Sequence, residues 1–256
     1  METAALVEYL DALLDTARIP DYPGAVNGLQ LTNSGNVGRI AAAVDFSSRT
    51  VAAAIEQQAN FLLVHHGMFW GGAQPLTGNR YRLIRALIEN DIAVYSSHLP
   101  LDCHRTFGNN VLLSRELGLE PSGTFATYKT LAIGVRGTST IATAELAERV
   151  SRFAIREGGR AVITGASVDA ITKSWAICTG SGASAETLQE ARTAGVDTLI
   201  VGEGPHWTAV EAEELGLTLI YAGHYATETL GVRALAEHLS QHFHLDWIPV
   251  HAPTGL

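Results

Sequence analysis

The sequence predicts an α/β protein: two similar, interlinked α/β lobes from an internal duplication, with mixed, largely parallel sheets. Three observations predict it. Short apolar runs alternate with helical patterns of about ten residues, the signature of βαβ units. The order of these elements occurs twice. The 256 residues, 46% hydrophobic and 17% charged, suffice for one large core or two small ones.

The elements follow in order. Met1–Asp15 sets Leu6, Tyr9, Leu10, Leu13 and Leu14 at helical spacing among Glu2, Glu8, Asp11 and Asp15. That is an amphipathic helix, not the apolar core of a secretion signal. The first half then offers strands Ile40–Val44, Phe61–Val64 and Ile92–Tyr95, and helices Ser48–Gln58, Arg80–Glu89 and Gly108–Leu117. The second offers strands Leu131–Val135, Ala161–Thr164, Ser174–Cys178, Thr198–Val201 and Thr218–Tyr221. Its helices are Ala144–Glu157, Ser184–Ala194, Trp207–Leu215 and Gly231–His242. Ser47 or Ser48, Thr143 and Ser184 are helix caps. Pro121 and Gly123 mark Gly118–Tyr128 as the boundary, which gives halves 1–122 and 123–256. No run approaches the ~18 apolar residues of a spanning helix.

The duplication can be followed residue by residue. Val64 and Val201 stand 137 apart, and His98 and His224 stand 126 apart. The difference falls in the Gly71–Gly78 insert of the first half. A repeated α/β unit explains this better than coincidence, because element order and strand-end residues recur together.

Composition narrows the function. A net charge of −9 argues against duplex DNA or an anionic membrane as the main partner, since both attract clustered Lys and Arg. Two cysteines, Cys103 and Cys178, are too few for a disulfide framework and fit a reducing, cytoplasmic setting. Cys178 reads as core; Cys103, next to Asp102, reads as a small apolar filler, with a soft metal ligand or nucleophile as the alternative.

The chemistry collects at strand ends, where parallel sheets bind ligands. His65 and His66 follow strand 61–64 and point in different directions, so each can reach a different metal. Asp102 follows strand 92–95 on a loop broken by Pro100. His224 follows strand 218–221, with Glu228 four residues on, one helical turn away. His and carboxylate suit Zn, Mn, Fe or Ni. Three His and two carboxylates complete two sites only if a carboxylate bridges, which holds the metals ~3.5–4 Å apart. His98, the repeat partner of His224, reads as a residue behind the ligands. Glu203 and His206 take the positions of His66 and Phe69, and with His98 are candidates for proton transfer. Gly180-Ser-Gly182-Ala-Ser184 opens a helix and reads as a tight βα turn, with an anion cradle as the alternative. His238 and His242 share a helix face; with His244 and His251 they lack a carboxylate at motif spacing.

With these residues in hand, the sequence resembles the Nif-three-like family, also called dinuclear-metal-centre proteins or GTP cyclohydrolase 1 type 2 homologs. The matching segments are Asn27-Gly28-Leu29-Gln30, Leu63-Val-His65-His66-Gly67, His98-Leu-Pro-Leu-Asp102, Gly108-Asn-Asn110, Gly180-Ser-Gly182 and Gly223-His224-Tyr-Ala-Thr-Glu228. They span nearly the whole chain. Two departures are Gly202-Glu203-Gly204-Pro205, where many members read Thr-Gly-Glu or Thr-Gly-Asp, and Tyr225, where some have His. The resemblance implies two divalent metal ions per chain, one held by His66, Asp102 and Glu228, the other by His65, His224 and Glu228. It also implies a ring-shaped homohexamer with the metal sites facing an internal cavity. The expected function is a metal-dependent hydrolase of a small, nucleotide-like substrate, with a GTP cyclohydrolase reaction or phosphoester hydrolysis as its form. The competing class is a metal- and ligand-binding regulatory protein without turnover.

Overall fold

The computed structural model describes residues 1–165 and 169–256. The described chain forms α1 (Thr3–Leu13), β1 (Gly28–Leu31), β2 (Arg39–Asp45), α2 (Ser48–Glu56), β3 (Phe61–His66), α3 (Gly78–Glu89), β4 (Ala93–Ser96), α4 (Leu99–Asp102) and α5 (Asn109–Glu116). It continues through β5 (Gly123–Tyr128), β6 (Leu131–Ala142), α6 (Thr143–Arg156), β7 (Val162–Thr164), β8 (Ile171–Cys178), α7 (Ala185–Thr193), β9 (Thr198–Val201) and α8 (His206–Glu214). It closes with β10 (Thr218–Tyr221), α9 (His224–Thr227), α10 (Thr229–Phe243) and β11 (Asp246–Pro249).

Two compact units result. The first comprises Met1–His104 and Gly231–Ala252, the second Arg105–Leu230 and Pro253–Leu256. These units do not coincide with the halves 1–122 and 123–256. The stretch Gly118–Tyr128, which reads as a boundary, instead contains β5, and β5 pairs antiparallel with β6 inside the second unit. Residues 231–252 belong to the first unit because β11 pairs parallel with β2.

The first unit carries a five-stranded sheet in the order β1-β4-β3-β2-β11, parallel except for the antiparallel edge strand β1. Its central strands β3 and β4 are buried along their whole length and apolar up to their carboxyl ends, as strands covered on both faces must be. Leu62, Val64 and Val94 pack with Val51 and Ala54 of α2 and Leu87 of α3.

The second unit carries a six-stranded mixed sheet in the order β5-β6-β8-β9-β10-β7. Strands β8, β9 and β10 are parallel; β5, β6 and β7 run antiparallel to their neighbours. Successive residues of β8 serve opposite faces. Trp175 and Ile177 pack with Leu146, Val150 and Phe153, while Ala176 and Cys178 pack with Leu188, Leu199 and Leu219. Each such fully buried Leu or Phe stabilises by about 1.5–3 kcal/mol. Strand β6 runs on past the apolar segment 131–135 because Gly134 and Gly137 admit their neighbours. A Cβ at Gly134 would lie 2.4 Å from the Ile177 carbonyl oxygen, and one at Gly137 2.5 Å from the Trp175 ring.

The duplication is visible in the helix starts. Ser47 and Thr50 form a reciprocal capping box on α2, and Ser184 and Thr187 form the same box on α7. In each, the threonine hydroxyl also donates to the backbone carbonyl five residues back, of Asp45 and of Gly182. Each box is worth about 1 kcal/mol. No described helix is long and apolar enough to cross a membrane.

Candidate metal centre

In the first unit three imidazoles converge at the carboxyl ends of β3 and β4. His65 and His66 are the last residues of β3, and His98 precedes the short helix α4 that ends in Asp102. His65, His66, His98 and Asp102 are all buried. One ring nitrogen from each of the three histidines lies within 4.8 Å of the others. His65 Nε2 stands 3.5 Å from Asp102 Oδ2.

Each Nδ1 is held by an oxygen. That of His65 lies 2.8 Å from the Ser97 carbonyl, that of His66 2.9 Å from Asp45 Oδ1, and that of His98 2.8 Å from Asp21 Oδ1. A carbonyl or carboxylate only accepts, so Nδ1 donates in each ring, and in a neutral ring the lone pair is then on Nε2. This is the arrangement that orients imidazoles toward a cation. Register explains one tether: Asp45 is the cross-strand partner of His66.

Asp21 organises the turn behind the cluster. Besides His98 it accepts from the Leu99 N–H and from Asn27 Nδ2, while Asn27 Oδ1 accepts from the His98 N–H. Burial works against its charge, but the hydrogen bond and charge of His98 and the Asn27 contact prevail and hold its carboxyl below the usual value. Gln30 performs the same service for the other turn, with its Oε1 accepting from the Met68 N–H at 2.6 Å. Cys103 is not reactive here. Burial first, then the neighbouring charges of Asp102 and Asp21, push its thiol up to about 12.

In the second unit His224 and Glu228 sit after β10, on α9 and just beyond it. Gly223 starts α9 at φ +93°, a conformation glycine adopts without strain. His224 Nε2 is 3.1 Å from Glu228 Oε2, and its Nδ1 is 2.8 Å from Glu203 Oε1. A ring with an acidic acceptor at both nitrogens is held as imidazolium. Burial opposes that charge, but Glu228 and then Glu203 outweigh it and raise His224 to about 9. Ser181 Oγ adds a contact to Glu203 at 3.2 Å.

The loop after β8 leaves room for Glu228. A Cβ on Gly180 (φ +62°) would lie 2.1 Å from Glu228 Oε1 and 3.5 Å from His224 Nε2. Three of the loop's amides are engaged within the unit. Gly180 N–H donates to Thr227 Oγ1, Ala183 N–H to the Glu203 carbonyl and Ser184 N–H to Thr187 Oγ1.

The donors suit a divalent cation. In the first unit they are imidazoles with fixed tautomers and a buried carboxylate. In the second they are a His–Glu pair beside a glycine whose missing Cβ makes their space. Buried His and Glu groups of this kind can hold a metal ion.

The residues predicted from sequence thus fall into two groups: His65, His66, His98 and Asp102 in one unit, His224, Glu228 and Glu203 in the other. Glu203 is found holding a ring nitrogen of His224. His206 opens α8 and is exposed, and its side chain hydrogen-bonds to no described residue. It lines a cavity of about 560 Å³ in the second unit, together with Arg160, Glu203, Val210 and Tyr221. Sequence reasoning missed Asp21, Asp45 and Ser97 as tethers. Asp45 had a signal, since it ends the apolar run beside the one that ends in His66. Asp21 had none, because its partner lies 77 residues away.

Comparison with known proteins gives one answer. The family model described as Duf34/NIF3 (NGG1p interacting factor 3) matches residues 1–252. A Deinococcus radiodurans protein named GTP cyclohydrolase 1 type 2 homolog is 38% identical, over 98% of this chain and 93% of its own. A Halobacterium salinarum protein of the same name is 39% identical, over 94% of this chain and 96% of its own. A solved structure from Thermus thermophilus covers all of both chains at 34% identity and TM-score 0.85.

Proposed function

The chain belongs to the Duf34/NIF3 family, and on that premise we propose that it is a dinuclear metal-dependent hydrolase acting on a small, nucleotide-like substrate. One observation carries the reading. The buried imidazoles of His65 and His66 at the end of β3 each have Nδ1 tethered to an oxygen, which supports Nε2 as the nitrogen that would ligate.

In this reading His66, Asp102 and Glu228 would hold one ion, and His65, His224 and Glu228 the other, so that Glu228 would serve both. The ions are divalent, of the Zn, Mn, Fe or Ni type. When bound they supply Lewis acidity, an acidified water and a polarised scissile group. The rest is work for the chain. His224 must lose the proton it holds between Glu203 and Glu228 before Nε2 can ligate, and Glu203 stays hydrogen-bonded to its other nitrogen. His98, backed by Asp21, is a second place where a proton can be held close to the ligands. A GTP cyclohydrolase reaction, the activity in the relatives' name, and phosphoester hydrolysis both suit this ligand set. Phosphoester hydrolysis has one feature in its favour, the cavity that Arg160 and His206 share with Glu203. The same reading expects a cytoplasmic homohexamer.

The test is to load purified protein with Mn, Fe or Zn and assay GTP, other nucleotides and phosphoesters beside Glu228→Ala. Metal-dependent turnover that Glu228→Ala abolishes is expected. Undiminished activity in that variant, or clearly less than one ion per chain after loading, sinks the two-metal reading. Light scattering at a mass six times that of the chain is expected, and a monomer would remove the hexamer.

A further inference from the structure

Two large aromatic rings stand beside the imidazole cluster of the first unit and remain open to solvent. The Trp70 ring centroid lies 4.6 Å from those of both His66 and His98, at interplanar angles of 42° and 66°. Tyr22 lies 5.8 Å from His98 and 6.4 Å from Trp70, tilted 70° to the indole. Yet Trp70 keeps 42% of its surface exposed and Tyr22 48%.

These rings ride on fixed backbone. The Trp70 N–H donates to the Gly67 carbonyl. A Cβ on Gly67 would lie 2.3 Å from Gln30 Nε2, so that turn fits closely over Gln30. A Cβ on Gly24 would lie 2.7 Å from the Trp70 carbonyl oxygen. The segments bearing Tyr22 and Trp70 are therefore packed backbone to backbone. The neighbouring cation is already committed: Arg80 donates to the Met68 carbonyl and lies over Phe69.

An indole held rigidly beside three inward-tethered imidazoles, with its surface left open, offers a π face in place of a charge. Stacking needs only a partner with a π face of its own. We propose that Trp70 and Tyr22 form an aromatic wall that receives a planar heteroaromatic ring of the purine type. The proposal deepens the reading of the same site. It rests on that reading for the metal chemistry, but not for binding. It makes the ring, rather than a phosphate, the part of the substrate that the first unit recognises.

Equilibrium binding separates the two ideas. Guanosine and ribose 5-phosphate are titrated by calorimetry into metal-free and Zn-loaded protein, wild type and variants. Guanosine is expected to bind both preparations. Trp70→Ala should weaken it by about 5- to 150-fold, the range for loss of one base stack. Trp70→Phe should recover most of the loss and Trp70→Leu, apolar but without a π face, should not. Tyr22→Ala should weaken guanosine more modestly. Ribose 5-phosphate should respond to none of these. Melting curves and metal stoichiometry check that each variant is folded; should Trp70→Ala not fold, the Phe and Leu variants decide. Equal guanosine affinity in folded wild type and Trp70→Leu overturns the wall. So does no guanosine binding at millimolar concentration, or ribose 5-phosphate binding as tightly as guanosine. Stacking without turnover of any substrate would overturn the hydrolase instead and leave the wall standing.

Discussion

Placing a methyl group on Gly180 pushes one atom into the second unit's cluster while leaving every proposed ligand in the sequence. The new Cβ would stand 2.1 Å from Glu228 Oε1, so the carboxylate must retreat by about 1 Å. Gly180 also has φ +62°, where alanine carries about 1–2 kcal/mol of strain. A stiffer unfolded chain returns about 0.4–1 kcal/mol of that. Gly216→Ala isolates the strain, because Gly216 has φ +67° and nothing lies within 4 Å of its added Cβ. Both variants should therefore lose about 1 kcal/mol, or about 2–4 °C in melting temperature. A carboxylate end can swing, so the collision adds little to the folding loss. It should act on the metal instead. A ligand oxygen bonds at about 2.0–2.2 Å, and a carboxylate displaced by about half that length cannot close the bond. Metal affinity should fall about 10- to 100-fold in Gly180→Ala and stay at the wild-type value in Gly216→Ala. Melting curves of the metal-free proteins, with calorimetric titration of Zn, read both quantities. If the two variants match in both, Glu228 is not a ligand and the reasoning is refuted.

Three further outcomes follow from the geometry. His224 has its pKa raised to about 9 from an ordinary 6.5, so in metal-free protein its ion pairs stabilise fully below about 6.5 and fade as pH rises towards 9. Urea midpoints at the two ends of that window should show a loss in wild type that His224→Gln lacks; parallel curves would disprove the pairing. Asp21 has its carboxyl held down, so its contribution is present above the ordinary 3.8 and disappears as pH falls through the lower native value. Asp21→Asn should cost about 1–3 kcal/mol in urea unfolding at neutral pH, because one of the two accepting oxygens becomes an NH2 donor that faces other donors. Cys103, pushed up to about 12 from 9, should alkylate about a thousandfold more slowly at neutral pH than a free thiol. A rate near that of free cysteine would show that the Asp102 turn is open.

The parallel strands other than β11, and the helices between them, were legible because each carries its own signal. Ile40–Val44, Phe61–Val64, Thr198–Val201 and Thr218–Tyr221 are apolar runs followed by polar turns, and those turns carry the candidate ligands His65, His66, His224 and Glu228 or their partners Asp45 and Glu203. Three strands had no such signal. Gly28–Leu31 and Gly123–Tyr128 contain glycine, and Asp246–Pro249 ends in proline. Their strand state comes from partners elsewhere: β4, β6 and, for β11, a strand 207 residues away in sequence. The site divides the same way. His65, His66 and His224 announce themselves at strand ends. Asp21, which fixes His98, lies in a Pro-rich loop whose spacing says nothing about its partner. The Gly180 loop reads as a tight βα turn, but the room it leaves for Glu228 depends on a residue far along the chain and has no signal in the sequence.

The return of β11 to the first sheet constrains how the protein can be made. Strand β2 is an apolar ribbon, Arg39-Ile-Ala-Ala-Ala-Val-Asp45, whose outer edge is paired only by residues 246–249. A ribosome delivers those residues about two hundred positions later. At about 5–20 residues per second, that edge stays unpaired for roughly ten to forty seconds. Residues 105–230, by contrast, emerge as one continuous stretch and can complete their own sheet first. The nascent protein therefore finishes its middle before its beginning, and for those seconds a bare hydrophobic edge is exposed to chaperones and to other chains.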